Sequence, residues 1–138
     1  MDRVHRSSFR ARSYELDSYR HLNNAVYLGW FEQARLEFLQ ARGFSYDGFA
    51  DRRQWMVVVR TEVDFRAAVH EGDVLDVETR VAALGRSSVR FLQVMRRRPD
   101  ETVCEARTVM AFTDTDGSIP IPADVRAALQ PTDGAAGD

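Results

Sequence analysis

The stretch Asn24–Arg42 places the strongest constraint on how this chain can fold. Tyr27, Phe31, Ala34 and Phe38 recur at helical spacing, and Leu28, Trp30, Leu36 and Leu39 widen that apolar face. The first half is apolar on most sides, which predicts a helix buried by its surroundings rather than one lying on a surface. At about 1.5 Å per residue it runs roughly 28 Å. Gly43 supplies the stop, because a C′ residue without a side chain takes a left-handed backbone freely. Asn23 or Asn24 supplies the N-cap.

A short polar segment leads straight into this helix: Asp17-Ser18-Tyr19-Arg20-His21-Leu22-Asn23-Asn24. A carboxylate, an imidazole and two carboxamides therefore stand beside the positive end of a helix dipole, where unpaired backbone amides point outward. Such a place suits a carboxylate, a phosphate or an oxyanion that develops during a reaction.

The remainder reads as strands. Residues 2–12 predict an edge-like strand, Ser13–Leu22 a loop, and Phe44–Gln54 a connecting loop. Trp55–Phe65, Val74–Leu84, Ser88–Arg97 and Thr102–Thr113 predict an antiparallel meander, punctuated by Glu71-Gly72-Asp73, Gly85-Arg86-Ser87 and Arg98-Pro99-Asp100. Pro122 opens a short helix that runs to about Leu129. One helix, apolar nearly all round, followed by long antiparallel strands predicts an α+β fold in which a curved sheet wraps the helix. The sheet edges left over predict an oligomer that continues the sheet.

Length and composition narrow the class. With 138 residues the chain is expected to form one domain, residues 1–130, with a small, polar, disordered tail at 131–138. A net charge of −2 argues against a nucleic-acid binder. No apolar run approaches the ~20 residues of a membrane span, and no signal peptide is read at the N-terminus. The single cysteine, Cys104, precludes an intrachain disulfide and is expected to be a small buried hydrophobe. A cytoplasmic protein is the expectation.

The segment Asp17 to Leu28, followed by Phe31-Glu32-Gln33-Ala34-Arg35, resembles the hotdog-fold thioesterases of the 4-hydroxybenzoyl-CoA thioesterase-like branch. The likeness extends to Gly72-Asp73-Val74-Leu75, Arg86-Ser87-Ser88-Val89-Arg90-Phe91 and Asp116-Gly117, and so covers nearly the whole chain. The same spacing of Asp, His, Asn and Asn resembles plant acyl-ACP thioesterases. Two departures stand out: Arg20, where many relatives carry glycine, and Tyr19, where the plant enzymes carry a catalytic asparagine. The resemblance implies a curved antiparallel sheet around one long central helix, assembled as a homodimer or homotetramer. It implies hydrolysis of a small-molecule acyl-CoA or acyl-ACP thioester, with no metal and no cofactor beyond the coenzyme A of the substrate.

The resemblance also assigns roles. Asp17 would act as general base or nucleophile, His21 would position substrate or water, and the Asn24 amide would polarise the thioester carbonyl. Tyr27, Arg60, Arg86, Ser87 and Arg90 become candidates for substrate contacts, the arginines because guanidinium matches phosphate geometry. Each has a plainer reading: Asp17 and His21 as loop hydrogen-bonders, the asparagines as caps, Tyr27 and Trp30 as core, the arginines as cross-strand ion pairs. Glu32 and Arg35 stand at i, i+3 and read as a helix pair. Glu37 is an alternative carboxylate on the helix. The other readings are a hotdog hydratase, whose usual Asp–His spacing is not what stands here, and a non-catalytic acyl-CoA-binding regulator.

Overall fold

The computed structural model describes residues 3–131. Pro131 apart, the expected tail lies outside the described residues. In chain order come β1 (His5–Arg10), a 3-10 turn (Ser13–Glu15), α1 (Asn24–Ala41), α2 (Tyr46–Asp51), β2 (Trp55–Phe65), β3 (Val74–Leu84), β4 (Ser88–Arg97), β5 (Glu101–Asp114), β6 (Gly117–Ser118) and α3 (Ala123–Ala128). The strands form one antiparallel sheet of order β1-β3-β4-β5-β2, with β6 beside β5. The expected meander is corrected here. β2 does not pair with β3, its neighbour in sequence, but crosses to the far side of β5. Strand order depends on long-range pairing, which local alternation does not encode.

Helix α1 lies on the concave face of the sheet. Its N-cap is Asn23, whose side chain accepts from the Ala25 amide at 2.9 Å. Its end is a Schellman turn: Gly43 takes φ +87°, its amide bonds Gln40 O, and the Phe44 amide bonds Leu39 O. Tyr27, Trp30, Phe31, Ala34, Phe38 and Leu39 are buried. The expectation of an all-round wrap is corrected: Ala25, Leu28, Gly29, Glu32 and Gln33 are exposed, so the sheet covers one side of the helix and leaves the other open. The connection after α1 is not a plain loop either. Ser45 caps α2 by accepting from the Gly48 amide, and Phe49 is buried against Phe44 and Phe112.

Two apolar clusters flank a buried polar band. One gathers Tyr27, Trp30, Phe31, Val69, Met95 and Cys104; the other Phe38, Leu39, Phe49, Phe91, Phe112 and Val125. Between them, Gln93 donates to Phe31 O at 2.9 Å and Thr79 Oγ1 at 3.0 Å, and accepts from Arg35 Nη1 at 3.1 Å. Of the expected Glu32–Arg35 helix pair, Arg35 is only 5% exposed and points into the core. Burial lowers the Arg35 pKa, opposed by the Tyr46 phenol and Glu32. Cys104 is buried as expected, and burial pushes its thiol up to about 12. Among the described residues no helix is long and apolar enough to cross a membrane.

Candidate active site

The loop ahead of α1 is built around the Asp17 side chain. Its Oδ1 accepts from the amides of Tyr19 at 2.8 Å and His21 at 3.1 Å. The main chain closes the same turn, with Asp17 N on His21 O at 2.8 Å and Arg20 N on Asp17 O at 3.0 Å. Oδ2 accepts no hydrogen bond among the described residues. The turn requires a left-handed residue, and Arg20 occupies it at φ +63°. This accounts for the glycine at that place in the related pattern: a side chain there costs about 1–2 kcal/mol, which the surrounding bonds hold in place.

The first residue of α1 completes the geometry. Asn23 satisfies the amides of Ala25 and Val26, whereas the Asn24 amide has no acceptor among the described residues. Asp17, His21, Asn24 and Tyr27 share an open cleft of about 310 Å³ with Phe65 and Arg66 through Ala68. The Tyr27 ring stands edge-on to Phe65 at 5.0 Å. Burial pushes the Tyr27 phenol up to about 12, with Cys104 adding to the shift and Arg97 opposing it. At neutral pH Tyr27 is therefore an uncharged wall. Asp17, with one oxygen free of hydrogen bonds among the described residues, and Asn24, with an unpaired helix-end amide, thus line one solvent-open space. A carboxylate and a helix-end amide are the groups needed to deliver a nucleophile to a carbonyl and to stabilise the resulting oxyanion.

The sequence profile of the thioesterase-like superfamily matches residues 11–129. The chain belongs to that superfamily. It is 26% identical over 129 residues to the acyl-acyl carrier protein thioesterase ATL3 of Arabidopsis thaliana chloroplasts, covering 92% of this chain and 68% of that one. It is 30% identical over 109 residues to the acyl-CoA thioesterase YbgC of Haemophilus influenzae, covering 77% and 79%. A crystal structure of a hypothetical protein from Aquifex aeolicus shares the fold, with a TM-score of 0.87 and 25% identity, over 91% of this chain and 99% of that one.

The thioesterase-like chain does not gather all its expected substrate contacts in one place. Arg60 and Arg90 line a separate groove of about 300 Å³ on the outer face of the sheet, together with Arg107. Arg60 also lies 3.4 Å from Glu62. Arg86 and Ser87 form the β3–β4 turn, where Arg86 O accepts from the Ile121 amide and Ser87 O from the Phe112 amide, each at 2.9 Å. That turn sits level with Ala111 of β5, whereas Phe65 is level with Cys104. At about 3.4 Å per residue the two levels are roughly 24 Å apart.

Glu37 is also remote, 4.0 Å from His5 and about 20 Å down the helix from Asn24 at about 1.5 Å per residue. Phe65, Arg66 and His70 lie at or beside the cleft and were not singled out in the sequence. Their signal there is slight: the end of a strand and the residues ahead of the Gly72-Asp73 turn. Among the described residues no cluster of three or more His, Cys, Asp or Glu is placed to hold a metal.

Proposed function

We propose that the protein hydrolyses acyl-CoA thioesters to a free acid and coenzyme A at the Asp17–Asn24 cleft. The supporting observation is that the unpaired Asn24 amide and the Asp17 carboxylate line the same cleft. The thioester carbonyl docks against the amide, and the helix dipole favours the negative charge that develops on its oxygen. Asp17 takes a proton from a water that attacks the carbonyl carbon, and the C–S bond breaks with loss of the thiolate to give the free acid. Alternatively the carboxylate attacks the carbon itself, the thiolate leaves, and water then hydrolyses the resulting mixed anhydride to free acid and Asp17. His21 positions substrate or water, and Tyr27 and Phe65 form the apolar wall. No metal and no separate cofactor enters this scheme. A panel of acyl-CoA thioesters with free-thiol detection tests it. Turnover of at least one chain length is expected, and binding without turnover across the panel would replace it with a non-catalytic acyl-CoA-binding role. The likeness to ATL3 favours a second reading, an acyl-carrier-protein substrate, and free acyl-CoA that is not turned over while acyl-ACP is would select it.

The proposal includes a homodimer joined through β2, and a cytoplasmic setting in which Cys104 remains a thiol. β2 is paired on one side by β5 and open on the other, with Val57 at 42%, Val58 at 49% and Val59 at 64% exposure. A long apolar edge of this kind demands a cover. A second copy pairing antiparallel would extend the sheet and lie over the open face of α1. It would also set its own Trp55 end beside this chain's Phe65, bringing the partner's Arg86 and Ser87 towards the cleft.

Sedimentation should then give a mass of twice 15.7 kDa at micromolar concentration. Val59→Lys should give a folded monomer with thioesterase activity lost. A Val59→Lys protein that remains dimeric would show that this edge is not the interface.

Arg86 is the proposed handle for the phosphates of coenzyme A, with Ser87 beside it. Arg60 and Arg90 are proposed as a further phosphate contact where the nucleotide passes over the outer face. Arg86→Ala should raise KM for acyl-CoA about tenfold and leave kcat nearly unchanged, the signature of uniform binding. An unmoved KM, or an equal effect on a short thioester that lacks the nucleotide, would remove Arg86 from the site.

A further inference from the structure

We infer that His70 is a positioning residue that holds the His21 imidazole at the mouth of the cleft. The two rings meet edge to face, with centroids 5.1 Å apart and planes at 87°. The main chain joins the loops that carry them, because the Leu22 amide donates to Val69 O at 2.8 Å, one residue from each histidine. His70 is itself fixed from behind. Its amide donates to Asp73 Oδ2 at 2.9 Å, and its Nδ1 lies 3.9 Å from the same oxygen.

Arg97 of β4 anchors that carboxylate at 2.8 Å and donates to the carbonyl of Ala68, a cleft residue, at 2.7 Å. Arg97 also pairs with Glu101 at 2.7 Å. A rigid strand thus supports Asp73, Asp73 supports the His70 turn, and the His70 ring supports His21. His21 needs that support because it stands exposed, and the hydrogen bond its amide donates to Asp17 Oδ1 constrains its backbone rather than its ring. An exposed imidazole on a loop otherwise samples several rotamers, and geometry at a reacting centre is sensitive to small displacements.

The inference rests on the thioesterase reading, and the test separates the two. Wild type, His70→Ala and His70→Phe are compared for kcat and KM on an acyl-CoA by thiol release, each also in a His21→Ala background. The His21 ring-proton resonances are recorded in every protein that retains His21. His70→Ala should lower kcat about threefold to tenfold, the range an edge-to-face contact carries, with KM unmoved. His70→Phe, which keeps a ring at that position, should restore most of the loss. In the His21→Ala background His70→Ala should have no further effect, as expected of residues acting through one another.

The His21 resonances should move in His70→Ala. Unmoved resonances, or an equal loss in both backgrounds, would overturn the inference. Should the wild type release no thiol from any acyl-CoA, the functional reading falls, and the resonances still decide whether His70 holds His21.

Discussion

Asp17→Asn lowers kcat for thioester hydrolysis by about 10²–10⁴-fold while KM stays within about threefold of wild type. The substitution suits the question because the side chain has two separable tasks. One oxygen accepts from the amides of Tyr19 and His21 and so shapes the loop. The other accepts no hydrogen bond among the described residues, in a cleft shared with the Asn24 amide. A carboxamide oxygen still accepts from both amides, so the turn and its left-handed Arg20 survive. The amide nitrogen, in contrast, can neither take a proton from water nor attack a carbonyl. His21→Ala should cost less than Asp17→Asn, because its task is positioning. A folded Asp17→Asn protein with near-wild-type turnover would dismiss Asp17 as the reacting group, and the remoteness of Glu37 leaves that residue a poor substitute.

Gln93→Leu destabilises the protein by about 2–4 kcal/mol in chemical denaturation, because it leaves Arg35 charged and buried with one partner fewer. Gln93 is 0% exposed and ties three groups together: the guanidinium of Arg35, the carbonyl of Phe31 in mid-helix and the hydroxyl of Thr79. The Phe31 carbonyl and the Thr79 hydroxyl lose little, since the first already accepts within the helix and the second can turn. The Arg35 charge keeps the Tyr46 phenol and Glu32 nearby, but its Nε already lacks a hydrogen-bond partner among the described residues.

Arg35→Met together with Gln93→Leu should therefore be more stable than Gln93→Leu alone by at least about 1 kcal/mol, because an apolar pair replaces a buried charge whose hydrogen bonds are incomplete. Additive losses in the double variant would show that the band contributes no coupled stability. The same band crosses the space between the two apolar clusters and pins α1 to the sheet, which holds the Asn24 end of the helix over the cleft.

Much of this arrangement was legible in the residues. The caps at Asn23 and Gly43 are local chemistry, so the helix could be placed from composition and spacing alone. The limits of β2 to β5 followed from alternation and turn residues to within one residue, whereas β1 is shorter than the 2–12 stretch and β6 was not read. The loop from Asp17 to Asn24 announced itself because polar side chains crowd a helix start. What escaped depends on distant pairing. Nothing local says that β2 abandons β3 for β5, and that choice leaves Val57, Val58 and Val59 on an open edge.

Arg35 read only as a helix partner of Glu32, because the i, i+3 rule sees one helix and not the strand beneath it. Helix α2 is short, and Gly48 and its charged neighbours obscure the buried Phe49. His70 reaches His21 only because two loops far apart in sequence share a backbone hydrogen bond.

The docking of a thioester carbonyl on the Asn24 amide can be observed spectroscopically in the slow Asp17→Asn variant. An isotope-edited infrared difference spectrum of a labelled acyl-CoA bound to that protein reports how strongly the site polarises the carbonyl. A hydrogen bond from a helix-end amide in a partly desolvated cleft predicts a stretch at lower wavenumber than the same thioester shows in water. A bound thioester whose carbonyl stretch stays at or above its aqueous position would contradict the assignment of this helix terminus as the group that stabilises the oxyanion.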